Sequence, residues 1–223
     1  MSLATHGQVR SQAPGNRRVI RGKPRWPADF VMAAALVAVI GMQLLLPDQG
    51  MWHHQLAVLV LEVLLLIGLV AKPKRIDRES PLLRAAVLTL IAAISLTNAW
   101  SAVLVVGVLL GSEGQTGAAL LVSGTVIWST NVIVFGLWYW ELERNRPYPD
   151  FLFTQEQSPD LAPPDWEPGF TDYLYLSFTN ATAFSPTDVL PLSRWAKLTM
   201  MLQSAISLST IALIIGRAVD TLN

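Results

Sequence analysis

The sequence predicts an all-α membrane protein with about five transmembrane helices and one re-entrant, pore-type helix. Its composition indicates a membrane protein, because 52% of the residues are hydrophobic and only 14% are charged, whereas soluble domains usually carry about 25% charged residues. The long apolar runs give the helix count, since roughly 20 apolar residues cross a bilayer as a helix. A short apolar helix followed by polar, non-helical residues near the C-terminus predicts the re-entrant segment.

The N-terminal tail, residues 1–26, is polar and basic, and we expect it to be disordered. It holds six of the sixteen Lys and Arg residues, so the positive-inside rule predicts a cytoplasmic N-terminus. We expect a multi-pass protein of the plasma (inner) membrane. The apolar stretch at about 28–46 is too long for a signal peptide, and no small-residue cleavage site follows it, which predicts a retained membrane anchor. No nucleic-acid-reading module accompanies the basic tail, so no nucleic-acid partner is predicted.

Residues 27–112 form a predicted N-terminal membrane region of three helices. The three spans lie at about 28–46, 54–71 and 82–110. Glu62 falls near the middle of the second span, where a carboxylate costs several kcal/mol unless it is paired or protonated. Two roles of Glu62 stay open. It could bind a proton or a cation, or it could hydrogen-bond to Asn98 or Asn131 and hold two helices together.

Residues 113–223 form the second predicted region, which we describe as channel-like. It comprises a fourth span at about 117–140, an acidic, Pro-rich loop at 141–170, a short helix at 171–182, a polar loop at 183–191 and a last helix at 192–219. The short helix cannot cross a bilayer, yet it is too apolar for a solvated loop, which is typical of a re-entrant segment. The acidic loop is poor in Lys and Arg, so the side of the membrane on which it lies stays open.

The last helix also carries a hydroxyl-rich segment whose role has two readings. Its polar residues are Gln203, Ser204, Ser207, Ser209 and Thr210. Small polar side chains allow membrane helices to approach closely and to hydrogen-bond with each other, which favours a role in packing. The alternative is that they form the wet inner wall of a pore.

The stretch "TNATAFSPTDVLPLSRWAKLTMMLQSAIS" resembles the pore domain of potassium channels, in which a pore helix, a filter and an inner helix follow one another. Thr182 stands where the family has the threonine before its filter signature, and Asp188 stands where it has the aspartate that closes it. The resemblance covers roughly residues 170–219. It implies a homotetramer around a shared axis and passive movement of cations. Asp188 also fits a turn or cap before the last helix.

The filter-like loop differs from the family's pattern because "FSPT" at 184–187 contains no glycine. A carbonyl-lined filter needs backbone angles that glycine adopts readily, and Pro186 restricts the loop further. We therefore expect side-chain oxygens to line the pore, which predicts weak selectivity among monovalent cations. These candidate pore residues are Thr182, Ser185, Thr187 and Asp188. Thr179 and Asn180 would line the conduit or hold the helix and loop in place.

Two other functions are compatible with the sequence. The first is a non-conducting membrane scaffold or ligand-binding protein that retains a channel-like fold. The second is a proton-coupled transporter that uses Glu62. An enzyme is not predicted, because no phosphate-binding loop, Ser-His-Asp arrangement or metalloprotease motif is present. The chain has no cysteine, and no cofactor or metal site is predicted. The expected partners are the lipid bilayer, monovalent cations and further copies of the chain.

Overall fold

A computed structural model provides the structure of the protein. It describes residues 28–44, 59–60, 63–64, 67, 81–110, 117–144, 146–164, 166–182 and 188–220. The elements are α1 (Ala28–Gln43), α2 (Pro81–Leu110), α3 (Gly117–Glu143), β1 (Phe151–Phe153), α4 (Thr154–Gln157), α5 (Phe170–Ala181), β2 (Val189–Pro191) and α6 (Arg194–Asp220). Three of the residues singled out in the sequence, Glu62, Ser185 and Thr187, lie outside the described residues, as does the tail at 1–26.

The described part of the chain contains three helical segments that are long and apolar enough to cross a membrane. They are Arg84–Gly107 in α2, Ala118–Glu143 in α3 and Arg194–Gly216 in α6. They correspond to the third, fourth and fifth predicted spans and support a membrane-embedded helical protein. The first predicted span is helical from Ala28 to Gln43, but its apolar helix, Ala33–Gln43, is shorter. The described residues thus give three of the five or so spans that we expected.

Helix α3 lies at the centre of the helical assembly. Within the membrane-length windows, 56% of its residues are buried inside the protein, against 33% for α2 and 18% for α6. Helices α1, α2, α5 and α6 all contact it. The apolar core between them includes Leu36 of α1, Ile91 and Ile94 of α2, Leu137 of α3 and Leu176 of α5. The remaining apolar surface of α6 therefore faces outward, as a lipid-facing helix would.

Two short strands make the fold less purely helical than the sequence predicts. β1 lies in the acidic loop and pairs antiparallel with β2, with Leu152 opposite Leu190. β2 falls at the end of the predicted filter-like loop. The pairing is stabilised by aromatic packing beneath it, since Phe151 lies edge-on to Tyr139 at 5.2 Å and Phe153 lies edge-on to Tyr173 at 5.3 Å between ring centroids. The strands therefore lie beside the C-terminal end of α3.

Helix α5 corresponds closely to the short helix expected at 171–182. It begins where the backbone N–H of Gly169 donates to the carboxylate of Asp172 at 2.7 Å, which satisfies a donor at the helix start. The helix then runs antiparallel to α3. A Cβ atom at Gly136 would lie 3.3 Å from the Cα of Leu174, so the absence of a side chain at Gly136 allows the two backbones to approach closely.

Candidate functional site between α3, α5 and α6

A buried network of polar side chains joins the short helix α5 to both neighbouring spans. Its centre is Gln203 of α6, which is fully buried. The Gln203 Nε2 donates to the carbonyl of Ser177 at 3.0 Å and to its hydroxyl at 2.7 Å. The Oε1 of Gln203 accepts from the hydroxyl of Tyr139 at 2.5 Å and from Nδ2 of Asn180 at 2.8 Å. The amide is thus fully hydrogen-bonded, as a polar group inside an apolar bundle must be.

Asn180 holds the C-terminal half of α5 against α6. Its Nδ2 also donates to the carbonyl of Met200 at 3.0 Å. The Ser204 hydroxyl donates in return to Oδ1 of Asn180 at 3.1 Å and to its carbonyl at 3.3 Å. The side chain of Asn180 therefore contacts α6 at three residues, Met200, Gln203 and Ser204.

Ser177 links the same network to α3. Its hydroxyl donates to the carbonyl of Val132 at 2.6 Å and accepts from Gln203 at 2.7 Å. The sequence analysis did not single out Ser177 as a site residue. The sequence does contain a pattern that indicates this role, because Ser177 and Asn180 are three residues apart and so share one face of an otherwise apolar helix.

The hydroxyls of Thr179 and Thr182 bond within α5 itself. Thr179 donates to the carbonyls of Tyr175 at 3.1 Å and Leu176 at 3.0 Å. Thr182, which caps the helix, donates to the carbonyls of Phe178 at 3.0 Å and Thr179 at 3.1 Å. A hydroxyl has one proton and two lone pairs. Because each hydroxyl donates its proton to the helix, the lone pairs of each hydroxyl oxygen point away from the helix and can accept a hydrogen bond.

Asp188 lies directly before β2 and is partly buried. The structure therefore places Thr182 and Asp188 at the two ends of the segment 183–187, which includes the predicted pore residues Ser185 and Thr187 and lies outside the described residues. Within the described ranges, no three His, Cys, Asp or Glu side chains come together as a metal site would require.

A second set of polar contacts lies next to this network, beginning about one turn further along α6. Nδ2 of Asn131 donates to the hydroxyl of Ser207 at 2.7 Å, which joins α3 to α6. Nδ2 of Asn98 donates to the carbonyl of Ile127 at 3.2 Å, which joins α2 to α3. Two asparagines that the sequence offered as partners for Glu62 thus contact neighbouring helices, and Ser207 of the hydroxyl-rich segment faces α3.

The first turn of α5 carries a carboxyl group with a perturbed acidity. Burial raises the pKa of Asp172 above its usual value of 3.8, and the hydrogen bond from the Gly169 backbone N–H opposes that rise. The Tyr173 hydroxyl next to it donates to Oε2 of Glu143 at 2.9 Å, at the end of α3. The start of α5 is therefore tied to the same end of α3 that carries the two strands.

Comparisons with known proteins identify no relative of this chain. No family model matches the sequence. Neither the curated proteins nor the solved structures give a significant match. The resemblance to potassium-channel pore domains therefore depends on the residues quoted from the sequence.

Proposed function

We propose that the protein is an oligomeric, channel-like protein of the plasma (inner) membrane, with its N-terminus in the cytoplasm, that passes monovalent cations passively and with weak selectivity. The observation that carries the proposal is the course of α5. Its Ser177 contacts α3 at Val132, inside the candidate span Ala118–Glu143. The strand that follows α5 pairs with β1 beside the C-terminal end of α3.

The position of Gln203 gives the depth that α5 reaches. Gln203 lies nine residues after Arg194, the first residue of α6, which at 1.5 Å per residue is about 14 Å along the helix. Asn180 contacts Gln203 at this height, so Thr182 would stand within the membrane, whereas Val189 lies in the strand beside the C-terminal end of α3. Such a course supports the proposal of a re-entrant segment, since polar backbone at membrane depth is tolerated where protein buries it or where it lines water.

The C-terminal end of α5 is suited to a cation. A helix C-terminus carries partial negative charge from its last carbonyls. The lone pairs of Thr182 face away from the helix, because its proton is donated to the carbonyls of Phe178 and Thr179. The segment Pro147–Ser193 contains seven acids and no Lys or Arg, so its field attracts cations toward Asp188.

Assembly of several copies is part of the proposal, since one re-entrant helix cannot enclose a pore. Tyr175 and Phe178 on the outward face of α5 are 52% and 47% exposed, which leaves an apolar face that a neighbouring copy would cover. The resemblance to potassium-channel pore domains implies four copies around the axis.

Cation flux into liposomes tests this function. Purified protein is expected to pass both K⁺ and Na⁺ above the rate of protein-free liposomes and to run as an oligomer in mild detergent. Asp188→Asn should lower the flux by about tenfold at low ionic strength and by much less in ~1 M salt, where charges are screened beyond about 3 Å. Asp160→Asn, which changes an exposed acid in the loop before α5, is the matched control. Absence of flux, or equal effects of the two substitutions, contradicts the proposal.

A second candidate is a non-conducting membrane scaffold. The observation that favours it is the inward direction of Asn180, whose amide is committed to Met200 and Gln203. A scaffold would give no flux at any salt concentration and would run as a monomer or dimer in mild detergent. In that case, Asn180→Ala would lower stability and leave cation permeability at the protein-free level.

A further inference from the structure

An open groove with a volume of about 410 Å³ lies between α2, α3 and α6. Ala102 and Val103 of α2 form one wall, Ala205 and Ser209 of α6 form the other, and Ile127 of α3 lies between them. All five residues fall within the candidate spans of their helices. The groove therefore opens at a depth where the surrounding medium is the hydrocarbon of the bilayer. It is distinct from the polar network at α5.

The lining of the groove is mostly apolar and favours an apolar occupant. No ionisable side chain lines the groove. Its two hydroxyls are already used, because Ser209 donates to the carbonyl of Ala205 and Thr210 donates to that of Ile206, each at 2.8 Å. An occupant would thus meet methyl and methylene groups and no free donor, so hydrocarbon is the chemistry that fits.

The groove is too small to enclose a helix of a second copy. One turn of a helix about 10 Å wide fills roughly 420 Å³, whereas the lining extends along α6 from Ala205 to Ile214, more than two turns. A narrower, unbranched occupant is required.

We propose that this groove binds one acyl chain of a bilayer phospholipid. A cavity of about 150 Å³ takes up benzene, with its six carbon atoms, so the groove of about 410 Å³ holds roughly 16 carbon atoms, the length of one acyl chain. The groove lies in the half of the bundle away from β1 and β2, where Val105 of α2 packs near Leu120 of α3. The phospholipid belongs to the leaflet on that side. This binding does not depend on the passage of cations.

Filling the groove tests the proposal. Ala205→Phe places a ring between α2 and α6, while Ala212→Phe makes the same change on an exposed part of α6 outside the groove. After purification in detergent, native mass spectrometry should find one retained phospholipid per wild-type chain. Occupancy should fall roughly tenfold in Ala205→Phe, the effect of displacing about two buried methylene groups, and should be unchanged in Ala212→Phe. Equal retention in all three proteins would overturn the proposal.

A second measurement uses the wild-type protein, so it does not depend on the folding of a variant. A phospholipid with a photoactivatable group at mid-chain is mixed into liposomes that hold the protein. Cross-links should concentrate on the lining residues Val103, Val106 and Ile206 over the outward-facing Leu198 and Leu208 of α6. Labelling spread evenly over both groups would contradict a bound acyl chain.

Discussion

The side-chain amide of Gln203 donates to the hydroxyl of Ser177 at 2.7 Å, and this contact joins the short helix α5 to the spanning helix α6. The same hydroxyl donates to the carbonyl of Val132 on α3. Three helices thus meet at one serine inside an apolar bundle. A polar group at such a position is costly when it loses its partner, which makes the position of α5 depend on a few hydrogen bonds.

Gln203→Leu should lower the free energy of unfolding by about 2 kcal/mol, because the hydroxyl of Tyr139 and the amide of Asn180 then lose a buried acceptor. The measurement is unfolding by titration with a denaturing detergent in mixed micelles. A double-mutant cycle with Ser177→Ala isolates the contact between the two side chains, and a coupling of about 0.6 kcal/mol is expected for a hydrogen bond in a membrane protein. Additive effects of the two substitutions would show that the contact contributes nothing.

Ser207→Ala and Ser209→Ala make the same change at two neighbouring positions on α6. Ser207 is buried and accepts from Asn131, so its loss leaves a buried amide donor without that acceptor and should cost about 1 kcal/mol. Ser209 is exposed and bonds the carbonyl of Ala205 within its own helix, so its loss should cost less than about 0.5 kcal/mol. The melting temperatures of the two variants in detergent test this difference. An equal decrease for both would contradict a stabilising contact with Asn131.

The sequence predicts the helices of this protein better than the contacts between them. The fourth span, the short helix and the last helix were expected at 117–140, 171–182 and 192–219, and the structure has Gly117–Glu143, Phe170–Ala181 and Arg194–Asp220. Apolar length and flanking proline or glycine are local properties, so a single sequence reveals them. Three candidate spans follow from the same property.

The strands and the polar network could not be predicted in the same way. β1 and β2 are three residues each and are stabilised by each other and by the rings of Tyr139 and Tyr173, which are distant in sequence. Gln203 was recognised as part of a hydroxyl-rich segment, but its partners Ser177 and Asn180 depend on how α5 packs. The strand pairing and the polar network both depend on contacts between residues far apart in the chain, and no local sequence pattern predicts such contacts. The roles of Glu62, Ser185 and Thr187 stay predictions.

Gly136→Ala should separate α5 from α3. The added Cβ would lie 3.3 Å from the Cα of Leu174, and a backbone atom cannot move aside as a side chain can. The steric strain should cost more than the gain of about 1 kcal/mol in helix propensity. The free energy of unfolding should therefore fall by about 1 kcal/mol. Gly41→Ala in α1 is the matched control, because no atom lies within 4 Å of its added Cβ, and it should be neutral or stabilising. Stabilisation by both substitutions in detergent titrations would contradict the close approach.

The pH dependence of stability should depend on Asp172, whose pKa burial raises above 3.8 in the folded protein. Below 3.8 the carboxyl is protonated in both states, and its contribution to stability is fully present. As the pH rises through the raised pKa, the unfolded state releases its proton more readily, so that contribution is lost. Asp172→Asn keeps an oxygen that can accept from the Gly169 N–H but cannot ionise.

The difference in melting temperature between the wild type and Asp172→Asn therefore isolates this carboxyl group. As the pH rises from below 3.8 through the raised pKa of Asp172, the wild type should lose stability relative to the variant, and the loss should level off once the carboxyl is ionised in both states. Asp160→Asn, at an exposed acid before α5, serves as the control for the change of charge alone. A wild type that gains stability over Asp172→Asn as the pH rises would mean that the hydrogen bond from Gly169 outweighs burial and lowers the pKa of Asp172.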